Sequence, residues 1–374
     1  MTNKSIYITP KGSRQKSGLL RLCFLSAIFC AILVSCNNKS EKDIEEDSAS
    51  GVVLVQNESF YEVVLSNGES IYFTNFNSQN GIEGLALDID SVEVSTSYGT
   101  GFFISEDGQI VTNAHVVSNI VSDKDVNKSV SYVLNNLKQV FANAYNEVNE
   151  KYKEAQVYYD YANRSSDVSY DDFYRIKNIR DALKEEMEEY AQYYYSLDEI
   201  RASDSEIKYH NQVSIAYNNT YVTKSSDLVS CVVAKTDPEH DLAIIQLKDK
   251  KTPEDKYIFP IAENDPLEEY SLMDNITKML SDDKNSKLYM TGFNLGPQLA
   301  ITKEGIKSQF NNGTISQKTN ERLMYSIPAL PGSSGSPVVN HKGEIVAVNY
   351  AGINTTQNFN YGIRVKYLKD LINK

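Results

Sequence analysis

Three short stretches of the chain hold residues that, brought together, can turn an alcohol into a nucleophile. Val111-Thr112-Asn113-Ala114-His115-Val116-Val117 offers a histidine. Asp237-Pro238-Glu239-His240-Asp241-Leu242-Ala243-Ile244-Ile245 offers an aspartate, and Pro331-Gly332-Ser333-Ser334-Gly335-Ser336-Pro337-Val338 a serine between glycines. A serine hydroxyl is too weak a nucleophile at neutral pH and needs a base in contact with it, itself oriented by a third group. Histidine is the natural base and a carboxylate the natural orienter. Each stretch alone has a plainer reading: a Gly-Ser-Ser-Gly loop, a satisfied core histidine, the start of a strand. Their occurrence together, in the order histidine, aspartate, serine and in strand-rich surroundings, is what points to nucleophilic catalysis. His210 and His341 lack such contexts, and His240 only adjoins Asp241. No group of residues has metal-ligand spacing, so neither a metal nor a cofactor is expected.

The elements around these stretches are mostly strands. Val52 to Val55 and Phe60 to Leu65 lead through Asn67-Gly68 to Ile71 to Phe73, a hairpin signature. Short strands are expected at Ser91 to Val94, Gly101 to Ile104 and Ile110 to Thr112, with a turn at Glu106-Asp107-Gly108. More follow at Val213 to Tyr217, Leu228 to Ala234, Leu242 to Leu247, Lys287 to Thr291, Ile345 to Tyr350 and Tyr361 to Val365, before a closing helix over Lys366 to Asn373. Between residues 121 and 203 the pattern changes to helical spacing. One stripe runs Val130, Val133, Leu137, Val140, Ala144, Val148, Tyr152, and a second runs Phe173, Ile176, Ile179, Leu183, Met187, Tyr190, Tyr194, Leu197. Ser169-Tyr170-Asp171-Asp172 fits a capping box opening the second helix. The stretch therefore reads as a long helical hairpin, an antiparallel coiled coil whose tyrosines fill the seam.

The histidine, aspartate and serine motifs resemble those of the trypsin-like fold in the chymotrypsin superfamily, and are most similar to its bacterial high-temperature-requirement (Deg-type) branch. The resemblance covers Val92 to Ser118 and Lys208 to Lys374 but not the helical hairpin. It implies a mainly β chain, a trypsin-like double β-barrel with a long α-helical hairpin insertion. It further implies a serine endopeptidase in which His115 takes the proton of Ser334, Asp241 fixes the imidazole, and the backbone N–H groups of Gly332 and Ser334 bind the developing oxyanion. Asn349, Tyr350, Ala351 and Gly352 become the strand that pairs with substrate. The segment Ser326 to Pro331, part of the S1 wall, holds no acid, which favours a small or medium apolar P1 residue. The chain departs from the branch in three ways. Ser336 stands where glycine is commoner, about 40 residues after Ser334 leave no room for a PDZ domain, and the hairpin separates His115 from Asp241. The hairpin could shade the cleft, drive self-association or dock a partner. A competing reading is a protease-like scaffold with a resting site that acts through this hairpin, and an esterase would use the same triad.

The N-terminus reads as an export signal. A basic start is followed by an apolar run from Leu19 to Val34, and Leu33-Val34-Ser35-Cys36 resembles a lipobox, which implies cleavage before Cys36 and its acylation. Asn37, rather than aspartate, favours the outer membrane of the cell envelope. The polar stretch up to Ser50 is expected to be a solvated tether that lets the body stand off the membrane. Removing the first 35 residues, which hold five basic and no acidic residues, takes the formal charge from −13 to −18. A body this acidic is a poor ligand for phosphate backbones, so nucleic acid is not an expected partner, whereas protein or peptide substrate is. Cys231 is then the one unmodified cysteine. The expected organisation is a signal peptide at 1–35, a polar tether at 36–50, a β-hairpin and first barrel part at 51–120, the helical hairpin at 121–203, and the rest of the trypsin-like domain at 204–374.

Overall fold

Buried strands dominate the computed structural model, which describes residues 39–77, 79–119, 121–267, 286–352 and 359–374. Its first half holds α1 (Glu41–Gly51), β1 (Val52–Val64), β2 (Ser70–Asn77), β3 (Gly81–Ala86), β4 (Ser95–Phe103), β5 (Gln109–Thr112), α2 (Ala114–Val117), α3 (Asp123–Arg164), α4 (Tyr170–Asp198), β6 (Glu206–Tyr217), β7 (Val229–Asp237) and β8 (Leu242–Leu247). The second half holds β9 (Lys287–Gly292), α5 (Pro297–Ala300), the two-residue strands β10 (Ile301–Thr302) and β11 (Gly305–Ile306), β12 (Gln309–Lys318), β13 (Arg322–Tyr325), β14 (Pro337–Val339), β15 (Ile345–Gly352), β16 (Asn360–Arg364) and α6 (Val365–Asn373).

These strands make two closed six-stranded barrels. In the first, β1 pairs antiparallel with β4 on one edge and β6 on the other, and β5, β8 and β7 complete the ring. The second has the order β12-β13-β16-β15-β14-β9. Several strands read as unbroken apolar runs because both of their faces are covered. Val53, Val55, Ala243 and Ile245 fill the first barrel, while their neighbours Val52, Leu54, Leu242 and Ile244 belong to a second cluster shared with Phe293, Val348 and α6. Leu288, Met290, Leu323, Tyr325, Ile327 and Val338 fill the other barrel. The site is built where the barrels meet.

Beyond the first barrel, β1 continues past Ser59 into the hairpin with β2, turning at Gly68 as the Asn-Gly pair predicts. This extension is the platform for the helical pair. Val126, Val130 and Leu134 at the base of α3 pack on Tyr61, Val63, Leu65 and Phe73. At 42 residues α3 is about 63 Å long, and α4 returns against it, with Phe141 on Tyr193 (5.2 Å between ring centroids) and Tyr159 on Phe173 (5.5 Å). Ser169 caps α4 by accepting from the Asp172 N–H at 3.1 Å.

Three expectations need correction. Leu137, Val140 and Ile179 point to solvent; on α3 Val130 and Val148 of the predicted stripe are buried, together with Leu134, which the stripe left out. The strand expected at Ser91 to Val94 is a short turn over Ile89–Ser91, and pairing begins only at Ser95. The stretch expected to be a solvated tether forms α1. Ser40 and Asp43 make a reciprocal capping box, Ile44 is buried in the inter-barrel core, and Lys287 reaches Glu41 at 2.8 Å. One large apolar residue in an acidic helix gave no periodic signal, yet Ile44 is buried and polar contacts such as Asn218 Nδ2 to Ala49 O help to dock the helix. The proposed signal peptide and Cys36 lie outside the described residues. Among those described, no helix is long and apolar enough to cross a membrane.

Candidate active site

The histidine and aspartate meet in the first barrel. Asn113 precedes the single turn of α2, which presents His115, and its side-chain amide donates to the Asp241 carbonyl at 2.8 Å. Asp241, in the left-handed region at φ 51°, returns its carboxylate to His115 twice. Oδ1 accepts from the His115 backbone N–H at 2.9 Å, and Oδ2 lies 2.7 Å from Nδ1. Holding a proton on Nδ1 leaves Nε2 with a free lone pair, the form a general base needs.

Ser334 sits on the second barrel, in the loop between β13 and β14, pressed against β4. A Cβ placed on Gly99 would come within 2.8 Å of Val116, next to His115, and within 3.2 Å of the Ser334 carbonyl. The Ser334 hydroxyl donates to the Tyr350 carbonyl at 3.5 Å; among the described residues no hydrogen bond joins it to His115. Such bonds are commonly long before substrate arrives and tighten in the complex.

Hydrogen bonds fix the nucleophile loop carbonyl by carbonyl. Pro331 O accepts from Leu295 N at 2.6 Å, Gly332 O from Thr100 Oγ1 at 2.9 Å, Ser333 O from Asn349 Nδ2 at 2.9 Å, and Ser334 O from Thr100 N at 2.8 Å. The N–H groups of Ser333, Gly335 and Ser336 donate to Leu330, Asn349 and Ser333 carbonyls. Those of Gly332 and Ser334 have no protein acceptor among the described residues. With Pro331 O turned to Leu295, the Gly332 N–H on the opposite edge of the same planar peptide turns away from that support. The turn closes from Leu330 O to Ser333 N, with Gly332 at φ 95°, a conformation that glycine adopts freely.

Sequence reasoning missed Thr100, whose hydroxyl also accepts from Phe293 N at 3.0 Å and whose carbonyl accepts from Thr112 Oγ1 at 2.8 Å. Its place in the Gly-Thr-Gly stretch before β5 was the available signal. Ser336 fits because the residue facing it is Gly292, where a Cβ would lie 2.0 Å from the Ser336 oxygen. Asn349 departs from its expected role. Its N–H donates to Ser336 O at 2.9 Å and its C=O accepts from Gly335 N at 2.8 Å, so the nucleophile loop already occupies its backbone. β14 pairs with β15 only as far as Val348, and the edge open to an incoming strand starts at Tyr350. Tyr350, Ala351 and Gly352 belong to β15, whose other edge pairs with β16.

Asp237, Glu239 and His240 are the one group among the described residues whose ligand atoms lie close enough, within 4.8 Å, to hold a metal. Asp237 is engaged otherwise. It accepts from His240 Nδ1 at 3.0 Å and Lys374 at 3.2 Å, while His240 stacks on Tyr367, so the cluster fastens α6 to the loop that carries Asp241.

Residues 201–348 match the family model described as the trypsin-like peptidase domain. That match, over less than half of the chain, and the paired barrels point to a trypsin-like fold. Among solved structures, the chain is similar to the serine endoprotease from Yersinia pestis at 12% identity and a TM-score of 0.41, covering 90% of this chain and 66% of that one. It is similar also to the active form of the Rv3671c protease from M. tuberculosis, at 11% identity and a TM-score of 0.39, over 88% of this chain and 83% of the other. No curated protein matches it.

Proposed function

We propose that the chain is a lipid-anchored envelope endopeptidase that cleaves proteins or peptides through an acyl-enzyme on Ser334. His115 acts as base and then acid, Asp241 orients it, and the Gly332 and Ser334 amides receive the oxyanion. The observation that carries this reading is the pair of unengaged N–H groups on a loop whose four successive carbonyls are all held. Donors fixed in this way before substrate arrives need no reorganisation as charge develops, and each is typically worth about 3 to 4 kcal/mol. The same pair weighs against a resting scaffold.

A small or medium apolar P1 residue fits the segment Ser326 to Pro331 before the nucleophile, which carries no charged side chain. Substrate backbone would pair with β15 from Tyr350 onward. Acylation at Cys36 would place the anchor four residues before Ser40, a reach of about 14 Å. With α1 docked on the body, the peptidase then lies close to the membrane surface. Asn37 favours the outer membrane.

The test is labelling with a fluorophosphonate probe, comparing wild type, Ser334→Ala and His115→Ala, all three checked for folding. Wild-type labelling lost in both variants is the expected result, and a folded wild type that never labels refutes the peptidase reading. Cys36→Ser is expected to move the protein out of the membrane fraction.

A further inference from the structure

Behind the nucleophile loop the second barrel holds a chain of uncharged polar groups. Tyr325, in β13, is fully buried among Leu288, Met290, Leu323 and Val338. Its hydroxyl donates to Asn349 Oδ1 at 2.7 Å. The amide nitrogen of Asn349 then reaches Ser333 O at 2.9 Å and Ser333 Oγ at 3.1 Å, and Ser333 Oγ donates to Leu330 O at 2.7 Å. The order of donors is forced, because a backbone carbonyl only accepts, so the Asn349 nitrogen must face Ser333 and its oxygen must face the phenol. Burial pushes the Tyr325 hydroxyl well above the usual tyrosine value, which keeps it a donor at neutral pH.

We infer that Asn349 and Tyr325 are positioning residues for the catalytic serine loop: the side chain of Asn349, aimed by Tyr325, sets the Ser333–Ser334 peptide so that the Ser334 N–H faces the oxyanion. The inference rests on the peptidase reading above. The peptide linking Ser333 and Ser334 has its carbonyl on Ser333 and its N–H on Ser334, on opposite edges of one plane. Holding the carbonyl with the Asn349 amide therefore aims the N–H. The bond lies in a site where the asparagine is 1% and the tyrosine 0% exposed, so no water replaces it readily. The role needs no charge, and the loop geometry it produces is insensitive to pH across the neutral range. It also explains why a polar residue occupies a position on β15 flanked by Val348 and the barrel interior.

The test uses the full chain in detergent or in membranes, with Asn349→Ala, Tyr325→Phe and a core control, Val130→Ala, which lies in the separate cluster at the base of α3. The readouts are the second-order rate of fluorophosphonate labelling, kcat and KM on a quenched-fluorescent peptide with leucine at P1, the Ki of a peptide aldehyde whose tetrahedral adduct occupies the oxyanion site, and Tm. Asn349→Ala is expected to lower kcat and labelling about 100-fold, approaching the loss of one oxyanion donor, with KM within about threefold. Tyr325→Phe is expected to lower kcat about tenfold, from one net hydrogen bond. Aldehyde affinity should fall in step with kcat in both, while Val130→Ala lowers Tm and leaves kcat of the folded protein unchanged. Asn349→Ala labelling at the wild-type rate overturns the inference alone. A wild type that does not label overturns the peptidase reading and the inference with it.

Discussion

Replacing Gly332 by alanine should abolish most of the activity without unfolding the protein. The added Cβ would lie 2.5 Å from Phe293 O and 2.6 Å from Gly296 N, both backbone atoms with no side-chain freedom to yield. The φ of 95° adds strain of about 1 to 3 kcal/mol for any residue with a Cβ. The loop can relieve both by rotating the Pro331–Gly332 peptide, which breaks the 2.6 Å bond from Leu295 N to Pro331 O and swings the Gly332 N–H out of the site. Losing one such donor costs about 100- to 1000-fold in kcat. Tyr350 still offers its backbone to substrate, so KM should change by less than about threefold. Kinetics on a quenched-fluorescent peptide with valine or leucine at P1, normalised to folded protein by Tm and circular dichroism, read the effect directly. A kcat within about threefold of wild type would refute the assignment of Gly332 as an oxyanion donor.

Asp241→Asn should keep the fold and lower kcat about 10⁴-fold, because the amide favours the wrong imidazole tautomer; steady-state kinetics at constant pH measure it. Ile44→Ala should destabilise by about 2 to 5 kcal/mol, the range for emptying a core site, whereas a solvated tether would show no change in denaturant midpoint. Burial works to raise the Asp237 carboxyl, but the hydrogen bonds from His240 and Lys374 outweigh it and hold the group below its ordinary 3.8. Its contribution is therefore complete above the ordinary value and is lost as pH falls through the lowered one, so the Tm gap between wild type and Asp237→Asn should close on acidification and persist at neutral pH. Burial pushes the Cys231 thiol up to about 12, so in a form starting after Cys36 a disulfide reagent should titrate it only in denaturant.

The candidate site was legible where its residues are local: His115, Asp241 and Ser334 each sit in a run of seven to nine residues that the turn and the strand both constrain. The long helices were legible from spacing. What escaped was set by distance in the chain. Thr100 acts on Gly332 and Ser334 across the barrel interface, and nothing in the sequence around it points to the partner. The strands β12 and β13 carry mixed polar residues because one face is solvated, so alternation is weak, and β14 is three buried apolar residues, too short to show a period. Asn349 read as part of a pairing edge, whereas three-dimensional contact with Ser333, Gly335 and Ser336 had already used its backbone and side chain.

The placement of the helical pair also bears on how the protein assembles. β1 must find β6, as in the register of Val53 with Tyr217, before the first barrel can close. About half of the intervening chain is the helical insertion. Helices paired by near neighbours form early and draw their two ends together, which shortens the span that remains to be closed and saves about 0.6 kcal/mol of loop entropy for each halving. A chain with the arm loosened, for instance by glycines along the Phe141 and Tyr193 contact, should therefore reach the native state more slowly even where its final stability is little changed. His115 and Asp241 lie on opposite sides of that arm in the chain, so a folded arm shortens the loop that must close to bring them together.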